Sequence, residues 1–340
     1  MRLLVCGGAG FIGSAFVRRM LALHDDWQIV VLDKLTYAGN PDNLKPVKDD
    51  PRFRFVHADI CDAAAVDAAI ERAGGVDAIV NFAAETHVDR SIAEPEAFLK
   101  TDILGTHTLL EAVRAHDIWR MVQVSTDEVY GSIDEGSFCE TGRLNPSSPY
   151  SASKAGGDLQ VLAYHATYGV PALITRGSNT YGPYQYPEKL VPLFVTNALE
   201  GEKLPLYGDG LNVRDWLHVD DHVDGIAAAL TAGEPGEVYN IGGGNERTNR
   251  EITAIILEEL GLSWDTSVRS VTDRPGHDRR YSIACDKARA ELGWEPRVDF
   301  DEGLRQTIRW YRDNEWWWRK IKHGTGEFAR WRKRWYEERA

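Results

Sequence analysis

Along the first 180 residues, short apolar runs alternate with stretches whose apolar residues recur at helical spacing. The runs are LLVC near 3–6, IVVLD at 29–33, FRFVHAD at 53–59, AIVNFAA at 78–84, MVQVST at 121–126 and ALITRGSN at 172–179. The helical period fills 13–24, 62–73, 96–116 and 150–168 between them. Nearly all-apolar strands separated by helices predict a parallel sheet covered on both faces. Residues 1–180 therefore read as a doubly wound, Rossmann-type α/β domain.

After 180 the pattern changes to the Pro/Tyr/Gly-rich stretch NTYGPYQYPEKL, followed by shorter elements with irregular spacing. This predicts a smaller C-terminal substrate-binding lobe over 181–320, with helices at 220–232, 248–260 and 303–315. VYNIGGG at 238–244 reads as a strand ending in a loop, and its return to the first sheet stays open as an alternative. Residues 321–340 form a basic, Trp-rich tail. From Trp316 to Ala340 eight Lys or Arg stand against three Glu, interleaved with Trp316, Trp317, Trp318, Trp331 and Trp335. The favoured reading is a terminal helix docking its tryptophans on the protein's own acidic surface or on a partner subunit, ahead of nucleic-acid or membrane binding.

A length of 340 residues, against ~150 per domain, agrees with a large unit carrying a lobe. With 43% hydrophobic and 27% charged residues, composition excludes disordered, collagen-like and coiled-coil classes. The 52 acidic against 39 basic residues give a formal charge of -13, which repels nucleic acid and anionic membrane and demands local cations for any anionic ligand. Cys6, Cys61, Cys139 and Cys285 lie far apart, as expected of free thiols in a reducing cytoplasm. The glycine-broken start MRLLVCGGAG reads as neither signal peptide nor membrane span.

Gly7, Gly10 and Gly13 of GGAGFIG follow the first strand and open the first helix. Glycines there let the backbone approach a pyrophosphate, while the helix N-terminus offers free N–H groups. Asp33 ends the second strand, where an acid meets the adenosine ribose 2'-hydroxyl and repels a 2'-phosphate, so NAD is the expected cofactor. Asp59 is placed to bond the adenine, with helix capping an equal alternative. Tyr150 and Lys154 stand one helical turn apart in PYSASKAGGD and share a face. The ammonium is expected to lower the phenol's pKa toward neutrality and make Tyr150 a general base on a sugar hydroxyl, with Ser125 and Thr126 supplying hydroxyls.

GGAGFIG, the Ser/Thr strand end and Y-x-x-x-K resemble the extended short-chain dehydrogenase/reductase superfamily, whose members act on nucleotide sugars. DKLTYAGN at 33–40, NFAAETHVDRSI at 81–92, STDEVYG at 125–131, SNTYGPYQYPEKLVP at 178–192 and DRPGHDRRY at 273–281 narrow the resemblance to the dehydratases of dTDP-glucose. It runs from about residue 1 to 320 and stops before the tail.

The resemblance implies that Tyr150, helped by Lys154 and Thr126, takes the C4 hydroxyl proton as hydride passes to NAD. Glu128 then removes the C5 proton, and protonated Asp127 donates to the departing C6 hydroxyl. Related epimerases carry small hydroxyl residues where this chain has Asp127 and Glu128, and adjacent carboxyls can hold different protonation states.

Phe11, Ile12, Phe82, Ala83, Ala84 and Ile60 would line the cofactor; Lys34, Thr36, Ala38 and Gly39 would surround its ribose, and Thr101 and Ser125 would lie along it. His87 and Asn179 would face the sugar or its phosphate. Lys189, Leu190, Arg214, Asn249, Arg274 and His277 would hold the nucleotide diphosphate. Where the family pattern has Thr-Asn, this chain has Thr101-Asp102. His218 and His222 of HVDDH have i, i+4 spacing, but their aspartates fit helix capping and no metal is expected. The family implies a homodimer in which 96–116 and 150–168 form a four-helix interface. Dehydration of a UDP- or GDP-sugar, 4-epimerisation, decarboxylation and a non-catalytic NAD-sensing role remain as alternatives.

Overall fold

A computed structural model describes residues 1–273 and 277–324, with 328 and 330. Its strands are β1 (Arg2–Cys6), β2 (Gln28–Asp33), β3 (Phe53–His57), β4 (Ala78–Asn81), β5 (Arg120–Thr126), β6 (Ala172–Gly177), β7 (Asn179–Tyr181), β8 (Leu204–Tyr207), β9 (Val213–His218), β10 (Val238–Ile241), β11 (Glu246–Thr248) and β12 (Val268–Val271). Seven of them form one sheet in the order β10-β6-β5-β4-β1-β2-β3. Every pairing in it is parallel, and β10 joins beside β6 with Val238 opposite Ile174.

Alternate residues of these strands feed two different cores. Leu3, Val5, Ile29, Val31 and Val80 point to one face. Leu4, Cys6, Val30, Leu32 and Ile79 point to the other. Both faces are therefore dry, which is why the strands read as continuous apolar runs. The first face is covered by α1 (Phe11–Leu23), through Phe16 and Met20. The second is covered by α2 (Ala63–Arg72), through Val66 and Ile70.

The expected helix 96–116 has a break in its period. After α3 (Val88–Ala93) comes α4 (Pro95–Phe98), then a π-helical stretch Leu99–Gly105, then α5 (Thr106–Ala115). The π stretch centres on Asp102, whose carbonyl accepts from the Thr106 hydroxyl at 2.7 Å. Next, α6 (Pro149–Tyr168) starts with a capping box in which Ser148 and Ser151 bond each other's backbone N–H.

Two strands stop earlier than their apolar runs. β4 ends at Asn81, whose side chain accepts from Ala83 N at 3.1 Å and donates to Gln123 at 2.8 Å. β6 ends at Gly177; Ser178 N turns to Ile241 O at 3.1 Å, and Asn179 starts β7 on another sheet.

That sheet, β11-β9-β7, and the pair β12-β8 build the lobe with α7 (Leu190–Leu199), α9 (Asn249–Glu259), α10 (Trp264–Ser267) and α12 (Phe300–Asp313). Between them in the chain, α8 (Val219–Ala232) packs on α1, and α11 (Asp286–Leu292) packs on α8. The chain's α13 (Glu315–His323) buries Trp317 and Trp318 in the lobe core with Phe194, Ile252 and Leu304. Trp316 is exposed. Trp331 and Trp335 lie outside the described residues.

Candidate active site

The order of the strands reverses between β1 and β4, and a long cleft opens over the carboxyl ends of the strands there. Its floor is the glycine loop. Gly7 has φ +73°, and a Cβ on it would stand 2.5 Å from Ala83 N. Only a residue without a side chain fits that close approach. Gly10 caps α1 with no side-chain bond to the first turn, leaving its N–H groups for an anion.

Asp33 ends β2 at one end of the cleft and accepts from Ala9 N and Leu35 N, both at 2.8 Å. Burial nonetheless raises its pKa. Asp59 pairs with Lys34 at 2.6 Å and accepts from Cys61 N at 2.9 Å. Against the cost of burial, these partners hold its carboxyl below the ordinary range. The following helix is capped by Asp62, so Asp59 is not its cap and stands in the cleft wall. Phe11, Ile12, Gly13, Thr36, Ala38, Gly39, Ile60, Phe82, Ala83, Ala84 and Thr101 line the same space. The glycine cradle, open helix N-terminus and terminal acid fit an adenine dinucleotide with a free ribose 2'-hydroxyl.

At the other end, the last residues of β5 meet α6. Ser125, Thr126, Asp127, Glu128, Tyr150 and Lys154 all line the cleft. Thr126 caps the short 3-10 helix Asp127–Tyr130, accepting from Glu128 N at 3.3 Å. Its hydroxyl also donates to Asp127 at 3.2 Å. Asp127 is 3% exposed, and its Oδ2 has no hydrogen-bond partner. Burial first, then the neighbouring charges of Glu128 and Asp215, push its pKa well above the ordinary carboxylate value, with Arg214 opposing. Burial and the neighbouring charges thus bias Asp127 toward its acid form, beside a second carboxyl on the rim.

Tyr150 departs from the sequence expectation. Its pKa is raised well above the ordinary phenol value by burial, then by Glu128 and Asp102, against a hydrogen bond from Thr126. The Lys154 ammonium donates to Val124 O at 2.8 Å. Burial and carboxylates from two elements, the 3-10 helix and the π stretch, thus favour the neutral phenol, and a positive charge entering the cleft would oppose them.

Of the residues expected to hold the sugar nucleotide, Asn179 and Lys189 line the cleft, and Lys189 reaches Thr86 O at 2.8 Å. His87, Leu190, Arg214, Asn249 and His277 are not part of its lining. His87 caps α3 near Asp89, and Leu190 opens α7. Arg214 lies over the Tyr281 ring and donates to Asp278 O at 3.0 Å; Asn249 N meets Asn212 O at 3.1 Å. His277 pairs with Asp273 at 2.6 Å, edge-on to Tyr207, whose hydroxyl reaches Asp89 at 3.2 Å. These groups form a polar face of the lobe that adjoins the acid end through Arg214. Arg274 lies outside the described residues.

Glu85, Gln185, Glu188 and His222 line the cleft without having been singled out for it. Burial and Asp102 raise Glu85 to about 7. Glu188 pairs with Arg90 at 3.0 Å, and Arg90 covers the Tyr37 ring at 3.5 Å. Both glutamates fall inside the quoted stretches NFAAETHVDRSI and SNTYGPYQYPEKLVP. In HVDDH the cap is His218, whose Nδ1 accepts from Asp220 N at 3.2 Å, while the Asp221 carboxylate takes Val298 N at 2.9 Å. Among the described residues no group of three or more His, Cys, Asp or Glu is placed to hold a metal.

A dinucleotide cleft ending in Tyr150, Lys154 and a Thr126 hydroxyl defines an enzyme of the short-chain dehydrogenase/reductase class. The family model described as GDP-mannose 4,6 dehydratase matches residues 4–307. A dTDP-glucose 4,6-dehydratase of Streptomyces antibioticus is 55% identical over 327 residues, 95% of this chain and 96% of that one. The solved dTDP-glucose 4,6-dehydratase DesIV of Streptomyces venezuelae, with NAD and TYD bound, superposes with a TM-score of 0.91 at 58% identity, covering 95% of this chain and 100% of that one. The chain belongs to the dTDP-glucose 4,6-dehydratase family. A UDP-glucose 4-epimerase of Thermus thermophilus, in complex with NAD, shares the fold at 33% identity and a TM-score of 0.85, covering 92% of this chain and 100% of that one. Fold alone therefore leaves the reaction open.

Proposed function

We propose that this chain converts dTDP-glucose to dTDP-4-keto-6-deoxyglucose and water, with Tyr150, Lys154, Thr126, Asp127 and Glu128 as its working groups. The observation that carries this reading is the buried Asp127, its Oδ2 without a hydrogen-bond partner, next to Glu128 in the cleft that Tyr150 also lines. Tyr150 takes the C4 hydroxyl proton, with Lys154 and Thr126 orienting and charging the phenol. Gly7, Gly10 and Gly13 would hold the pyrophosphate of NAD and Asp33 its ribose, and the bound cofactor would supply the acceptor for the C4 hydride and the donor for C6. The 4-ketone acidifies C5–H, and Glu128 removes that proton while Asp127 gives its own to the leaving C6 hydroxyl. A proton then returns to C5, so the reaction is redox-neutral and the cofactor is retained.

The test is mass spectrometry after incubation with dTDP-glucose, UDP-glucose and GDP-mannose separately in deuterium oxide, without added NAD. Loss of one water and gain of one solvent deuterium from the dTDP-sugar alone is expected. The same change from another sugar would reassign the base preference, and no loss of water even with NAD added would reject dehydration.

The working unit is read as a homodimer. Leu99 and Leu104 of the π stretch are 52% and 49% exposed, and Leu159 and Tyr168 of α6 are each 55% exposed. Large apolar side chains on these neighbouring segments suit an isologous four-helix interface. Light scattering behind size exclusion is expected to give twice the chain mass, and a monomer at micromolar concentration would reject the dimer. All four cysteines are free, which suits a reducing cytoplasm. Among the described residues no helix is long and apolar enough to cross a membrane.

A further inference from the structure

His222 sits where β6 leaves the cleft, and no step above uses it. It is 2% exposed, yet it belongs to the cleft lining. Gly177 makes room for it, since a Cβ there would collide with the Cε1 and Nε2 atoms of the imidazole. Gly177 is the register partner of Thr126, so the ring lies at the reacting end of the cleft, away from Asp33.

The Thr180 hydroxyl donates to Ser178 O at 3.1 Å and lies 2.7 Å from His222 Nδ1. With its hydrogen engaged at Ser178, we assign its oxygen as the acceptor and the ring proton to Nδ1. Nε2 is left as a bare lone pair, buried and without a partner. Burial lowers the His222 pKa to about 4, so the ring stays neutral across the working pH range. An unpartnered buried acceptor in a ligand cleft calls for a donor from the ligand.

We propose that His222 Nε2 accepts an amide N–H of the nicotinamide carboxamide and thereby sets which face of that ring meets C4 of the sugar. His222 is a positioning residue in this assignment, which rests on the reading of the cleft as an NAD site. The carboxamide is the one N–H donor on the redox ring of such a cofactor. Thr180 acts through His222 by holding its tautomer.

The test compares the release of NAD from the purified protein with that of its acetylpyridine analogue, in which a methyl ketone replaces the carboxamide and no N–H remains. Each is loaded by exchange and followed by fluorescence. The unmodified protein is expected to hold NAD roughly tenfold more tightly than the analogue, as one buried hydrogen bond allows. His222→Leu should bring that ratio near one by weakening NAD alone, and Thr180→Val should lower it partway. Equal retention of both dinucleotides by the unmodified protein overturns the proposal without any variant. A ratio unchanged in His222→Leu does so too. Failure of the protein to bind either dinucleotide, or to dehydrate dTDP-glucose, would instead strike the reading of the cleft itself.

Discussion

The indole Nε1 of Trp317 donates to Oδ1 of Asn43 at 2.8 Å, joining the last described helix to the cofactor half of the molecule. Asn43 Nδ2 in turn donates to Ala9 O at 2.9 Å, and Ala9 N donates to Asp33 at 2.8 Å. Trp317 thus ends a hydrogen-bonded chain that runs through the glycine loop to Asp33. Trp317→Phe leaves a buried amide oxygen unpaired, at a cost of about 1–3 kcal/mol, and opens a void in the lobe core that adds to it. The variant is expected to unfold at lower temperature and to lose NAD faster, with kcat at saturating NAD little changed. Thermal unfolding and dinucleotide release measured together check this.

Asp127→Asn keeps the shape of the acid and removes its proton. C4 oxidation should survive in the variant and elimination should slow by about 10²–10⁴-fold. Enzyme-bound NADH would then accumulate, which stopped-flow absorbance detects. Because burial and Glu128 raise the Asp127 pKa, the acid form persists above the ordinary carboxylate range and is lost only as pH rises through that raised value. Elimination in the parent enzyme should therefore fail on the alkaline side. An unchanged dehydration rate in the variant would remove Asp127 from the acid role.

The strands of the main sheet were legible because both of their faces are dry: the neighbours Leu3 and Leu4 feed opposite cores, so the apolar run that holds them is unbroken. Tyr150 and Lys154 were legible because one helical turn relates them. The π stretch at 99–105 was not, since the apolar period continues through it and the insertion shows only in the backbone. The raised pKa of Tyr150 was hidden because burial, its main cause, and the charges of Glu128 and Asp102 are set by elements distant in sequence. Arg214, Asn249 and His277 were picked out by motif, and the structure gathers them on the lobe, outside the cleft lining.

Tyr150→Phe removes the one atom proposed to take the C4 proton. Without NADH formation there is no ketone to acidify C5, so oxidation and dehydration should fall together, by about 10²–10⁴-fold. The same protein should still bind NAD, because none of the glycine-loop contacts involve the phenol. Single-turnover NADH absorbance alongside dinucleotide content separates the two effects, and intact turnover would exclude Tyr150 as the base.

The burial of Asp102 has a measurable consequence. The residue is 1% exposed, accepts from the Ser153 hydroxyl at 2.6 Å, and leaves Oδ1 without a partner. Burial raises its pKa from 3.8 to about 6, with Lys154 and Ser153 opposing and Asp158 adding. A carboxyl whose folded pKa exceeds its unfolded one favours folding in its protonated form, and that contribution is lost as pH rises through about 6. Above that pH the charged form costs the folded state on the order of 2–3 kcal/mol. Asp102→Asn keeps an acceptor for Ser153 and removes the charge. The variant should be more stable than the parent at neutral pH, and the gap should close as pH falls toward about 4. Removing a charge that opposes the Tyr150 phenolate should also move the onset of C4 oxidation to lower pH. Unfolding curves across pH, paired with the pH profile of NADH formation, test both, and a stability difference that does not vary with pH would show that the Asp102 carboxyl is not the titrating group.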